Sequence, residues 1–224
     1  MEVTLIAQPE PVKLDTNRTA LIVVDMQNTF CKKGGLFDYL EQLDEAKVTR
    51  IIDQDKKIIN VCRRRGIKIV YLRMGYSPDL SDAGGPESPN YYKEFSIAAM
   101  RRYPELQGKF LIIGNWDWQI IDELRPQPGE IVIDKQRYSG FVNTGLDSIL
   151  RTYNIKYLLF IGLATNVCVD STLRDAYFRE YFPILIGDGC GHIGPEFTQE
   201  AVIWNVTNVF GWVTTYHNLV KALG

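Results

Sequence analysis

The sequence predicts an α/β protein, doubly wound, with a mostly parallel sheet carrying helices on both faces. Three observations predict it. Short, continuously apolar runs such as "TALIVVD" and "YLLFIGL" read as strands buried on both sides. They alternate with longer stretches of helical periodicity, which implies parallel strands joined by crossover helices. The chain's 224 residues, 46% hydrophobic and 23% charged, suffice for one domain with a large core, so a single domain over 1–224 is expected.

The first strand is expected at 19–25, "TALIVVD", and a helix follows at about 44–65. That helix closes on "CRRRG" (62–66), where cations suit the negative end of the helix dipole, so the run reads as a solvated helix end rather than a binding patch. A second strand, "IKIVYL" (67–72), leads into the one irregular region, about 75–129, rich in Pro and Gly ("YSPDLSDAGGPESPN", "LRPQPGE"). A long insertion at a strand's carboxyl end serves as a binding loop or lid, or as a subunit contact, and both readings stand. Beyond it come the strand "EIVID" (130–134), a helix near 144–153 and the strand "YLLFIGL" (157–163). A helix from about Val167, the strand "FPILIGD" (182–188) and a helix near 196–209 complete the pattern.

Composition excludes several partners. Lys and Arg total 25 against 27 Asp and Glu, a net charge of −2, and no basic run is long enough to follow a phosphate backbone; nucleic acid is not expected. No apolar stretch approaches a membrane span, and the first residues lack the basic and apolar regions of a secretion signal. No membrane partner and a cytoplasmic location are therefore expected. The four cysteines, at 31, 62, 168 and 190, form no CxxC pair and read as free thiols. Cys62 falls on a helix face and reads as core, while Cys31 in "FCKKGG" and Cys190 in "GDGCGHIG" read as loop residues.

In a doubly wound sheet, ligands lie beyond the carboxyl ends of the strands, so polar residues that end apolar runs are the candidates. Asp25 ends "ALIVVD", Lys135 follows "EIVID", and Cys168 opens the helix after "YLLFIGL". Each has an ordinary explanation: an Asp there caps a turn, a Lys points into water, and a buried Cys is a small hydrophobe. Parallel strands, however, would bring all three to one edge. Thr165 or Asn166 as N-cap would put Cys168 in the first helical turn, where unpaired N–H groups and the dipole lower a thiol pKa from about 8.5 toward neutrality. Lys135 would push the same way and Asp25 could accept the proton, giving a constellation for nucleophilic attack on a carbonyl.

A competing motif is "GCGHIG", Gly189 to Gly194, which matches the GxGxxG of dinucleotide-binding turns and suggests an oxidoreductase. That fingerprint requires an acid about 20 residues on, and "NVTNVFGWVTTYHN" contains none.

Three segments, "ALIVVDMQNTF", "DKQRYSGF" and "GLATNVCVDSTLRDA", make nearly the whole chain resemble the isochorismatase-like cysteine hydrolase superfamily. Its members include nicotinamidases, N-carbamoylsarcosine amidohydrolase, biuret hydrolase and ureidoacrylate amidohydrolase. Isochorismatase itself, which cleaves a vinyl ether, lacks the cysteine, so Cys168 indicates the amide-cleaving branch. Within that branch, "AGGPESPNYYK", the stretch from "LQGKF" to "FVNT", and "VFGWV" resemble the ureidoacrylate amidohydrolases.

The resemblance implies that Cys168 is the nucleophile, Asp25 the general base and acid, and Lys135 the cation that orients Asp25 and favours the thiolate. It implies a cis peptide between Leu163 and Ala164 and an oxyanion hole made by the N–H groups of Ala164 and Cys168. The implied reaction is cofactor-free hydrolysis of a C–N bond in a ureido or carbamoyl compound, ureidoacrylate or its peracid, through a thioester. A biuret-like or N-carbamoyl amino acid substrate is the alternative, and a catalytically silent scaffold a further one. Nicotinamidases often add an Asp and His metal set after the second strand; "MGYSPDLSDAGG" holds no histidine, so no metal is expected. Homo-oligomers, dimers or tetramers, are also implied, with Trp204, Phe210 and Trp212 lining an interface or filling the core.

For the substrate pocket, Gln107, Trp116 and Tyr138 match the pattern. Phe30 and Leu36 stand where tyrosine is expected, and Met74 where asparagine is expected, so polar contacts are lost at those places. His192 and His217, the only histidines, read as structural or surface residues.

Overall fold

An antiparallel pair, β1 (Glu2–Leu5) and β2 (Val12–Asp15), precedes the first core strand, β3 (Thr19–Val24), all six residues of which are buried. The structure, a computed structural model, describes residues 1–224. Two short helices, α1 (Asn28–Cys31) and α2 (Leu36–Tyr39), lead to α3 (Glu45–Arg64). Asp44 caps α3 by accepting the Lys47 N–H. Arg63 and Arg64 occupy its last turn, and Arg63 pairs with Glu130 at 2.8 Å, so the basic run is a helix end as the sequence suggested.

Then follow β4 (Lys68–Met74), α4 (Pro89–Lys93), α5 (Phe95–Arg102), β5 (Ile131–Lys135), α6 (Leu146–Thr152) and β6 (Tyr157–Leu163). A single wide π turn, Thr165–Val169, runs straight into α7 (Asp170–Phe178). The chain ends with β7 (Phe182–Gly191), α8 (Phe197–Asn205), β8 (Trp212–Thr214) and α9 (Tyr216–Leu223).

The main sheet has six strands in the order β5-β4-β3-β6-β7-β8, and every pairing is parallel. Side chains of β3 alternate between its two faces: Leu21 and Val23 enter one core, and Ala20, Ile22 and Val24 the other. That double burial is why the strand reads as an unbroken apolar run. The order runs outward from β3 to β5 on one side and from β6 to β8 on the other, so the topological switch lies between β3 and β6, where ligands bind in such sheets.

The two central strands approach closely at one glycine. Gly162 has φ +113°, and a Cβ there would stand 2.1 Å from the Val24 carbonyl oxygen. Only glycine fits both the angle and the space.

Several expectations need correction. The irregular region holds two helices and sends Ile97, Met100, Leu111, Ile121 and Leu124 into the same core as α3. Its Pro and Gly content hid these short elements, whose stability comes from packing rather than propensity. The last predicted helix ends at Asn205, and a second wide turn, Val206–Phe210, leads to the unforeseen β8. Cys31 is a buried member of α1, and Cys190 is buried within β7, which continues past residue 188 through an irregularity in its pairing with β6. Neither is a loop residue. For the same reason the "GCGHIG" match fails as a dinucleotide turn: Cys190 and Gly191 pair in register with Gly162 and Leu163, so this backbone belongs to the ladder instead of a phosphate-cradling turn.

Candidate active site

Three strands deliver the candidate residues to one rim. Asp25 directly follows β3, Lys135 ends β5, and Cys168 sits in the wide turn after β6. The Lys135 Nζ stands 2.8 Å from Asp25 Oδ2 and donates to Cys168 Sγ at 3.4 Å. All three side chains are buried, Lys135 at 0%, Asp25 at 1% and Cys168 at 6% exposure. Asp25 lies 110 residues before Lys135 in the sequence, and Cys168 a further 33 beyond it; parallel strands bring them into contact.

Asp25 adopts φ +50°, unusual for a residue other than glycine, and directs Oδ1 to the Met74 N–H at 3.1 Å. Such a conformation persists where its surroundings fix it, and here they do. Its own N–H donates to the Leu72 carbonyl, and its carbonyl accepts from Gln27. Gln27 then grips the end of β4 from both sides: its Oε1 accepts the Met74 N–H at 2.9 Å, and its Nε2 donates to the Met74 carbonyl at 2.8 Å. Sequence reasoning missed Gln27, although its place two residues beyond Asp25, at the end of a buried strand, was a usable signal.

Burial alone would push the Lys135 ammonium down, but the neighbouring Asp25 charge and Cys168 outweigh it and hold the lysine above its ordinary value. For Cys168 the balance is opposite. Burial drives the thiol well above the usual range, Lys135 opposes this, and Asp25 adds to it. The expectation of a thiol lowered toward neutrality is therefore corrected: the resting residue holds its proton, because desolvation of a sulfur anion exceeds what one shared ammonium returns.

The local reason lies in the turn itself. Neither Thr165 nor Asn166 is its cap. Ala164 takes that place, and its carbonyl accepts the N–H groups of Val167 and Val169 at 3.0 and 3.2 Å. Asn166 is engaged elsewhere, donating to the Ile193 carbonyl and accepting the Ile193 N–H, which fixes Ile193 as a wall of the pocket. The peptide between Leu163 and Ala164 is cis, as the resemblance implied. The Ala164 N–H makes no hydrogen bond with the protein.

Above Cys168 lies a mostly apolar cavity of about 20 Å³, room for about one water. Phe30, Met74 and Tyr138 line it as anticipated. Gln107 and Trp116 do not. Gln107 donates to the Met100 carbonyl at 2.9 Å on an exposed turn, and the Trp116 side chain is 51% exposed. Leu36 is core. Phe95 and Glu94, unforeseen in the sequence, complete the wall from the irregular region. His192 packs beside Lys47, with Nδ1 2.9 Å from its Nζ, outside this cavity.

A parallel α/β sheet with a buried Asp, Lys and Cys converging at its switch point has the form of a cysteine hydrolase site. The isochorismatase domain profile matches residues 19–218, and the chain belongs to the isochorismatase family. Among its relatives, ureidoacrylate amidohydrolase RutB of Rhizobium rhizogenes is 48% identical over 216 residues, 96% of this chain and 87% of that one. The protein of that name from Cronobacter sakazakii is 46% identical over 99% of this chain and 95% of its own. A cysteine hydrolase from Pseudomonas syringae pv. phaseolicola superposes with a TM-score of 0.79 at 28% identity, covering 98% of this chain and 96% of that one. N-carbamoylsarcosine amidase from Thermoplasma acidophilum gives 0.67 at 28% identity over 89% and 96%.

Proposed function

We propose that the protein is a cysteine amidohydrolase that cleaves a C–N bond of a ureido or carbamoyl compound through a thioester. Ureidoacrylate or its peracid is the substrate suggested by the relatives' names. The observation that carries this is the shared ammonium: Lys135 contacts both the carboxylate of Asp25 and the sulfur of Cys168, and all three side chains are buried at the rim of the sheet.

Because the resting thiol keeps its proton, attack begins with proton transfer from Cys168 to Asp25. The sulfur then bonds to the carbonyl carbon, and the C=O electrons move onto oxygen. That oxyanion is received by the free Ala164 N–H together with the Cys168 N–H. As the tetrahedral intermediate collapses, the C–N bond breaks and Asp25 returns the proton to the departing nitrogen. Asp25 then takes a proton from water, whose hydroxide adds to the thioester; expulsion of sulfur and its reprotonation restore the enzyme.

The test is turnover of ureidoacrylate by wild-type protein and by Cys168→Ser, with the thioester trapped and located by mass. The wild type is expected to accumulate an adduct on Cys168. The variant should lose at least about 10³-fold in kcat/KM. Wild-type rates in the variant would refute the assignment. Addition of EDTA is expected to leave the wild-type rate unchanged.

We also propose self-association as a dimer or tetramer. Phe178 and Trp204 are 65% and 62% exposed, and a groove of about 560 Å³ beside Phe178 is lined by Phe210 and Trp212, a surface of the kind that marks contact between chains. A cytoplasmic location fits four free, buried cysteines and no disulfide. No helix is long and apolar enough to cross a membrane.

A further inference from the structure

Thr172 stands in the first turn of α7, wholly buried, and its hydroxyl is used twice. It donates to the Cys168 carbonyl at 2.6 Å and accepts the Gly140 N–H at 3.0 Å. The first bond is an ordinary habit of threonine in helices, and Thr49 and Thr152 make it on exposed faces. The second is not. It reaches a segment 32 residues away, the loop that follows β5, so a single oxygen joins the turn holding the nucleophile to the loop after Lys135.

That loop also holds the ammonium. Lys135 Nζ donates to the Arg137 carbonyl at 3.3 Å as well as to Cys168 Sγ at 3.4 Å. The contacts therefore close a ring that runs from the Cys168 sulfur through Lys135, the backbone of 137–140 and the Thr172 hydroxyl to the Cys168 carbonyl. On its other side Gly140 is pressed against β4, where an added Cβ would stand 2.3 Å from Leu72 Cδ1, and the Leu72 carbonyl accepts the Asp25 N–H. Without the Thr172 hydroxyl the buried Gly140 N–H loses its partner, and the loop shifts to regain one, taking the Arg137 carbonyl and Tyr138 with it. The Ser139 hydroxyl, which donates to Asp175 three residues along α7, still ties the loop down, so the change expected is a displacement rather than unfolding.

We propose that Thr172 is a positioning residue: its hydroxyl sets the distance between the Lys135 ammonium and the Cys168 sulfur, and the direction of the Cys168 backbone that carries an oxyanion donor. Resting on the amidohydrolase reading above, this extends the site by a residue that touches neither the substrate nor the transferred proton. A displacement of about 1 Å at a reacting group can cost about 10²-fold in rate, because the near-attack geometry is lost while binding is not.

The experiment compares wild type with Thr172→Val, Thr172→Ala and Thr172→Ser, all below the lowest melting temperature among them. It measures kcat and KM for ureidoacrylate and the pH profile of Cys168 labelling by iodoacetamide. Val and Ala should lower kcat by about 10- to 100-fold with KM changed by less than about threefold, and Ser, which keeps the hydroxyl, should stay within about threefold of wild type. In Val and Ala the ammonium stands farther from the sulfur, so the labelling profile should move to higher pH; in Ser it should stay in place. A Ser variant as slow as Ala, a loss in KM alone, or a profile unmoved in Val and Ala overturns the positioning role, as does failure of both hydroxyl-free variants to fold. Absence of ureidoacrylate turnover by the wild type overturns the functional reading instead, and the labelling profile tests Thr172 without it.

Discussion

Lys135 Nζ lies 2.8 Å from Asp25 Oδ2, and neither side chain reaches solvent. A buried pair of this kind is costly to break from one side, because the survivor is left as an uncompensated charge.

Lys135→Met is therefore expected to destabilise the fold by about 3–5 kcal/mol in urea denaturation. The double variant Asp25→Asn with Lys135→Met removes both charges, and Asn tolerates the positive φ at that position. It should recover most of the lost stability and remain inactive. Equal stability losses in single and double variants would show that the pair is not coupled as the geometry states.

The elevated thiol gives a directional prediction for alkylation. Cys168 is raised by burial and further by Asp25, with Lys135 opposing, so its thiolate fraction in the free protein is small at neutral pH and grows as pH rises. Iodoacetamide labelling of Cys168 should accelerate by about tenfold per pH unit between pH 6 and 8. In Asp25→Asn the raising charge is gone while Lys135 remains, so the labelling profile should move to lower pH even as turnover collapses. A profile that moves upward, or stays in place, would contradict this balance.

Gly162→Ala tests the approach of β6 to β3. The added methyl would lie 2.1 Å from the Val24 carbonyl oxygen, on a residue with φ +113°. A loss of about 3 kcal/mol or more is expected by thermal or urea unfolding. Because Val24 precedes Asp25, residual folded protein should also show reduced kcat. Near wild-type stability would mean that the two strands can part without penalty.

For self-association, Phe178→Glu combined with Trp204→Glu places charge on the exposed aromatic surface. Light scattering should show a smaller assembly than wild type, with circular dichroism unchanged. An unchanged mass would place the interface elsewhere.

The sequence by itself determined the strand and helix alternation, the parallel sheet, and the meeting of Asp25, Lys135 and Cys168 at one edge of it. Periodicity and burial are local signals, and strands buried on both faces display theirs without interruption. It also supplied Phe30, Met74 and Tyr138 as wall residues. Contacts between distant segments were decided only in three dimensions. Gln27 bonding to Met74, Asn166 to Ile193, and Glu94 turning into the cavity leave no periodic trace, because each is set by where separate loops pack. Gln107 and Trp116 were misplaced for the same reason: a match in pattern fixes a position along the chain, but not the direction of a side chain. The state of the Cys168 proton was likewise beyond the sequence, since it depends on how completely water is excluded around one sulfur, and only the closed tertiary packing sets that.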